Sequence, residues 1–388
     1  MLKRHPLITI VVAQLFGTSL WFSVNGVGTA LQQSAGLSGA DLGLLTMAVQ
    51  AGFISGTLVI ATSGLADRLL ASQLFAMAAV CGAIINAAFI VSLESLTGAI
   101  LLRFMTGLCL AGIYPLGMKL VVSWTPQQAG AALGWLVGML TLGTASPHLL
   151  RGITLHMPWQ TPLLLSSLLA LMAAAMIYRL GVGPHLPPTA AGGRPWAGLA
   201  AFRRRDFRAA ALGYFGHCWE LYAFWTLTPF LVARELARLD APTTGIAWLS
   251  FAVIAIGMPG CVLAGRASQR FGSARVAFVA LATSGALCLF YPWLGSAPPL
   301  ILLALLLLWG FSVIADSAQF SALASVSAPS DRLGAALAMM NAIGFSLTLP
   351  AIALVTSLWS TQGLTVIWWL LPGPLLGLLA MRRLTLRA

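Results

Sequence analysis

A chain of 388 residues that is 59% hydrophobic and only 8% charged has too little polar surface to cover its own apolar mass in water, which excludes a soluble globule and points to a bilayer. Its formal charge of +12 would suit nucleic acid, but the basic residues alternate with apolar runs instead of forming one patch, so that partner is excluded too. Each crossing needs about 20 apolar residues, and main-chain polar groups must be satisfied inside the segment, so the runs read as helices.

Twelve runs follow in order. The first six are Leu7 to Leu31, Leu42 to Leu65, Ser72 to Leu93, Gly98 to Ser123, Ala129 to Leu149 and Thr161 to Leu180. The second six are Ala209 to Leu231, Thr244 to Gly265, Arg275 to Leu294, Leu300 to Leu323, Gly334 to Leu358 and Thr365 to Met381. They predict bundles over residues 1–180 and 209–388, with residues 181–208 as a cytoplasmic linker rich in proline, glycine and arginine. The first run is long enough to span and reads as helix one, not as a cleaved leader.

Of the 21 Lys and Arg, sixteen fall at one set of loops and ends, from Lys3 and Arg4 to Arg383 and Arg387. Three (Arg151, Arg234, Arg238) fall at the other set and two (Arg103, Lys119) within runs. This positive-inside bias places both termini in the cytoplasm of an inner-membrane protein.

In the first run, Gln14, Thr18, Trp21 and Asn25 recur at spacings of four, three and four, a polar stripe on one helical face that is expected to line a cavity. In the fourth, Arg103 costs about 2.5 to 3.5 kcal/mol to insert, so it faces protein, water or a negative partner. Tyr114, three helical turns on, shares its face if the helix is straight. The fifth run carries Gly130, Gly134 and Gly138, a small-residue row for close helix packing.

The seventh and tenth runs hold the two acidic residues within the predicted spans, Glu220 and Asp316. His217 lies three residues before Glu220, on the same face, so the two are expected to exchange a hydrogen bond and to load and release a proton. The alternative is a static buried network. Trp219 and Tyr222 add aromatic bulk beside them, and Gln319 follows Asp316 by three residues.

The five cysteines lie within runs with no C-x-x-C spacing, so no disulfide framework or metal site is expected and they read as packing residues. No phosphate-cradling loop, H-E-x-x-H or G-x-S-x-G pattern occurs, so neither an enzyme nor a cofactor is expected.

Gly130-Ala131-Ala132-Leu133 returns as Gly334-Ala335-Ala336-Leu337, a little over two hundred residues later. Such parallel repeats are used by secondary transporters, with the solute near the midplane. The loop after the second run keeps Gly64, Asp67 and Arg68, and that after the eighth keeps Gly265, Arg270 and Gly272. On these loops, and on Arg103, Gly107 and Ala111 in the fourth run, the chain resembles the major facilitator superfamily over essentially its full length.

The resemblance implies twelve transmembrane helices in two six-helix bundles that work by alternating access, with helices one, four, seven and ten around the solute. It implies a substrate cavity drawn from Gln14, Trp21, Asn25, Arg103, Tyr114, Trp219, Tyr222 and Gln319, and proton coupling through His217, Glu220 and Asp316. It also implies a cytoplasmic gate of Asp67, Arg68 and Arg270. The expected partners are a small-molecule solute (an organic or inorganic anion is one option), protons and membrane lipid, with the chain acting as a monomer. Two alternatives stay open: a proton-antiport exporter of amphiphilic compounds, and a ligand sensor that does not transport.

Overall fold

A computed structural model describes residues 2–63, 69–125, 129–185, 195–329 and 333–387, and among these the regular structure is helical throughout. The chain divides into two compact units, Met1–Gly192 and Gly193–Ala388.

The first unit contains α1 (Pro6–Thr18), α2 (Ser23–Gly26), α3 (Gly28–Ala35), α4 (Gly39–Ser63), α5 (Ala71–Ala88), α6 (Leu96–Ala111), α7 (Tyr114–Trp124), α8 (Ala129–Ile153) and α9 (Gln160–Leu180). The second contains α10 (Arg205–Arg238), α11 (Gly245–Ala255), α12 (Gly257–Phe271), α13 (Ser273–Phe290), α14 (Pro299–Ser312), α15 (Ser317–Ser327), α16 (Leu333–Gln362) and α17 (Pro372–Arg387). With short breaks joined, the described residues form six helical passes in each unit.

Nine stretches among the described residues are long and apolar enough to cross a membrane. One of them, Leu333–Thr385, is 53 residues long and turns at Gly363, whose φ of 55° belongs to the left-handed region. The 13-residue α1 is apolar but short.

Local chemistry explains where the helices start. The Ser38 hydroxyl accepts from the Asp41 N–H at 3.1 Å while the Asp41 carboxylate accepts from the Ser38 N–H at 2.8 Å, a reciprocal cap on α4. Ser95 caps α6 by accepting from Gly98 N–H at 3.3 Å.

The breaks depart from the straight helices expected of the sequence. The first pass turns between Thr18 and Ser23, the fourth at Gly112 and Ile113, and the tenth between Ser312 and Ser317. At each, tight bonds three residues apart replace the four-residue ladder, such as Trp21 N–H to Thr18 carbonyl at 3.0 Å and Ser317 N–H to Ile314 carbonyl at 3.2 Å. Pro115, in the first turn of α7, lacks the N–H that would tie it back into α6.

Glycines decide which helices touch. A Cβ on Gly52 would fall on the Phe104 carbonyl and one on Gly107 on the Val49 carbonyl, so α4 and α6 meet backbone to backbone. In the second unit, a Cβ on Gly260 would meet the Phe311 carbonyl and one on Gly310 the Val253 carbonyl. The pairing of the second and fourth passes therefore recurs, a little over two hundred residues on, in the eighth and tenth. In the fifth-pass row Gly134 faces open space, and the close packing comes further along α8, where a Cβ on Gly143 would meet the Thr18 hydroxyl and the Leu15 carbonyl.

Candidate functional site

In the first unit, Arg103 is fully buried, and its guanidinium is spent on the broken first pass. One terminal nitrogen donates to the Leu20 carbonyl at 3.2 Å and the Ser23 hydroxyl at 3.2 Å, and the other donates to the Trp21 carbonyl. The break turns these carbonyls toward α6, and a planar five-donor fork suits them where a lysine would not.

Asn86 of α5 completes the cluster. Its carbonyl oxygen accepts from Ser23 at 2.6 Å, and its amide donates to the Leu163 carbonyl at 3.1 Å and the Ser167 hydroxyl at 3.0 Å. Among the described residues, the Arg103 partners are neutral oxygens and include no carboxylate.

The stripe on the first pass is divided by the same break. The Trp21 indole N–H donates to the Gln50 side chain at 3.2 Å and the Asn25 amide donates to the Thr46 hydroxyl at 2.9 Å, both toward α4. Gln14 is fully buried, with neither amide atom partnered among the described residues. Its carbonyl oxygen lies over Gly117, where a Cβ would collide with it. Tyr114 stands beyond the bend at Gly112 and packs its ring 6.5 Å from that of Phe53, so it does not continue the straight face of Arg103.

In the second unit the two carboxylates are separately partnered. The His217 imidazole places Nδ1 2.7 Å from Asp316 Oδ1, with both side chains almost fully buried. The pair expected from sequence, His217 with Glu220, does not form. The break in the tenth pass puts Asp316 at the start of α15, facing α10, and a straight tenth helix would not present it there.

Glu220 accepts three hydrogen bonds instead: from the Trp309 indole at 2.6 Å, the Ser284 hydroxyl at 2.9 Å and the Cys288 thiol at 3.4 Å. Cys288 is therefore a donor to a carboxylate, not only the packing residue the sequence suggested. The Trp309 ring is fixed by stacking on Phe224 at 4.4 Å between centroids.

The other expected residues are distributed around these pairs. Tyr222 is buried between Trp225 and Phe345, at ring distances of 5.3 and 5.5 Å, and Gln319 is buried in the first turn of α15. Trp219 donates to the Trp369 carbonyl at 2.9 Å and lies against Gly373 of α17, away from the carboxylates on its own helix. Arg270 is exposed in the last turn of α12, its guanidinium 5.3 Å from the Phe271 ring centroid. Asp67 and Arg68 lie outside the described residues.

Two buried groups escaped the sequence reading. Glu235 is fully buried because α10 continues to Arg238, past the expected end at Leu231. It pairs with Arg234, and with Arg238 at 2.7 Å, while those arginines reach the Gly295 and Ala297 carbonyls at 2.8 Å each. The Glu235–Arg238 spacing of three was the legible signal. Asn86 was the other, an amide deep in an apolar run. Among the described residues, no three His, Cys, Asp or Glu gather as a metal site would require.

Known proteins share this fold. No curated protein matches the chain by sequence. Among solved structures, a D-xylose-proton symporter is similar at 14% identity and a TM-score of 0.78, over 97% of this chain and 95% of that one. A bacterial homologue of the human lysosomal transporter Spinster is similar at 13% identity and 0.73, over 100% and 97%. The human organic anion transporter MFSD10 gives 15% identity and 0.71, over 98% and 99%. The sequence model of the Major Facilitator Superfamily matches residues 9–379. With a helical fold shared along the whole length and a family match that leaves out only the chain's ends, this membrane protein belongs to the major facilitator superfamily of transporters.

Proposed function

We propose that the chain is a secondary active transporter that moves a small solute by alternating access, coupled to protons through His217 and Asp316, with Glu220 as a second carboxylate. The observation that carries the reading is the 2.7 Å approach of a buried imidazole to a buried carboxyl group. When loaded, the pair holds the proton that makes it net neutral, as imidazolium with carboxylate or imidazole with carboxylic acid. When that proton leaves, a neutral imidazole faces a carboxylate and the net charge is −1, so one proton sets the charge of the pair.

The similar xylose symporter is named for proton coupling, which agrees with this reading. The two terminal nitrogens of Arg103 donate to main-chain carbonyls, and its charge, not offset by these neutral acceptors, favours an anionic solute in this unit. Asp67, Arg68 and Arg270 are assigned to a cytoplasmic gate on the strength of their loop positions. The excess of basic residues at one set of loops supports an inner-membrane protein with both termini in the cytoplasm.

The test uses reconstituted vesicles with an imposed pH gradient, after a thermal-shift screen has found a solute that stabilises the protein. Solute-dependent proton flux that Asp316→Asn abolishes supports coupling at this pair. Normal gradient-driven flux by Asp316→Asn rejects it, and solute binding without flux by the wild type identifies a sensor instead.

A further inference from the structure

Where the N-terminus of α10 meets the end of α15 and the last turns of α17, a cavity of about 1090 Å³ opens. Arg204, Arg205, Arg208 and Arg383 line it, and Asp206 is the one acidic residue among them. Two of the arginines are held in place: Arg204 donates to the Ser327 and Ala328 carbonyls at 3.4 and 3.2 Å, and Arg208 to the Phe202 carbonyl at 3.3 Å. Arg205 and Arg383 are exposed, and neither has a hydrogen bond or ion pair among the described residues.

Apart from Ser327 the rest of the lining is apolar, with Leu379 69% and Leu212 41% exposed beside the guanidiniums. A soluble anion would pair with the arginines and leave those leucines wet. An occupant that satisfies both has a negative head and a hydrocarbon body. The volume lies just above the roughly 300 to 1,000 Å³ that suits ligands of drug size, as a lipid headgroup with the first part of its chains requires.

We propose that this cavity binds an anionic phospholipid, with its phosphate between Arg205 and Arg383 and the first part of its acyl chains over Leu212 and Leu379. Guanidiniums grip phosphate through paired N–H donors, and the amino end of a 34-residue helix adds positive potential. In the positive-inside orientation this corner of the unit meets the headgroups of the cytoplasmic leaflet, where anionic lipid is available.

The experiment titrates the purified full chain in neutral detergent with phosphatidylglycerol and counts retained lipid by native mass spectrometry. Phosphatidylcholine and inorganic phosphate serve as separate arms. The expected result is saturable retention of phosphatidylglycerol over phosphatidylcholine, unaffected by millimolar phosphate, and weakened roughly 25-fold in the double variant Arg205→Gln, Arg383→Gln, at about fivefold per guanidinium removed. The control Arg179→Gln, Arg266→Gln removes the same charge elsewhere and is expected to bind like the wild type. Equal loss in both double variants would mean a diffuse charge effect and overturn the site. Equal retention of both lipids, or full competition by phosphate, would overturn the assignment to an anionic lipid.

Discussion

The imidazole of His217 on α10 lies 2.7 Å from the Asp316 carboxyl group, on the turn that interrupts the tenth pass. A bend in one helix thus supplies the partner for a side chain on another. Among its near neighbours, Tyr214 stacks 5.9 Å from the imidazole and Phe320 lies at 6.1 Å, so the pair is walled by rings.

His217→Asn keeps an N–H on the side chain but removes the imidazole that faces Asp316. Uphill solute accumulation driven by a pH gradient is expected to fall at least tenfold, while solute exchange at equal pH on both sides continues. Loss of exchange as well, measured in the same vesicles, would make the pair structural.

Arg103→Ala strips donors from the Leu20 and Trp21 carbonyls and from Ser23, although the Ser23 hydroxyl still reaches the Leu20 carbonyl at 3.1 Å. Each unsatisfied group costs about 1 to 3 kcal/mol. The unfolding temperature in detergent should drop by several degrees at least, and Arg103→Lys should recover only a minor part of it, because an ammonium cannot fork between two carbonyls. Full recovery with lysine would mean that charge, not geometry, holds the first pass.

Trp309→Phe preserves the stacking on Phe224 but deletes the N–H that Glu220 accepts at 2.6 Å. We expect a loss of about 1.5 to 3 kcal/mol, the usual worth of a hydrogen bond to a charged group. Glu220→Gln alone should cost less, and the double variant should cost less than the two losses summed, because both remove one contact. Strict additivity in thermal unfolding would show that the two side chains are not coupled.

Gly107→Ala and Gly310→Ala each drive a methyl group into a facing main-chain carbonyl, and each should lower stability by more than 2 kcal/mol or block insertion of a folded protein. Gly134→Ala meets nothing within 4 Å and should be neutral or gain up to about 1 kcal/mol from helix propensity. Expression yield and melting temperature for the three variants decide the matter.

The helical class and the family were legible in sequence because both depend on averages: apolar runs of membrane length, basic loops, and a repeat two hundred residues on. The pairings were not, because they depend on where helices bend. His217 and Glu220 share a face in an unbroken helix, and they do in α10, yet Asp316 reaches His217 only because the tenth pass turns between Ser312 and Ser317. Arg103 stood out by its cost of burial, while its partners, the Leu20 and Trp21 carbonyls, leave no mark in residue types. Glu235 was overlooked because hydropathy ends the seventh pass at the first charges, whereas its two arginines let the helix continue through them.

The seams at Gly52 and Gly107, and at Gly260 and Gly310, put carbonyl against Cα with no side chain between. A seam without rotamers has no slack, so a push along one helix reaches its neighbour undiminished. In each unit the two joined passes should then travel as a single strut, and whatever deformation the working cycle needs must fall elsewhere, at bends such as the one that carries Asp316.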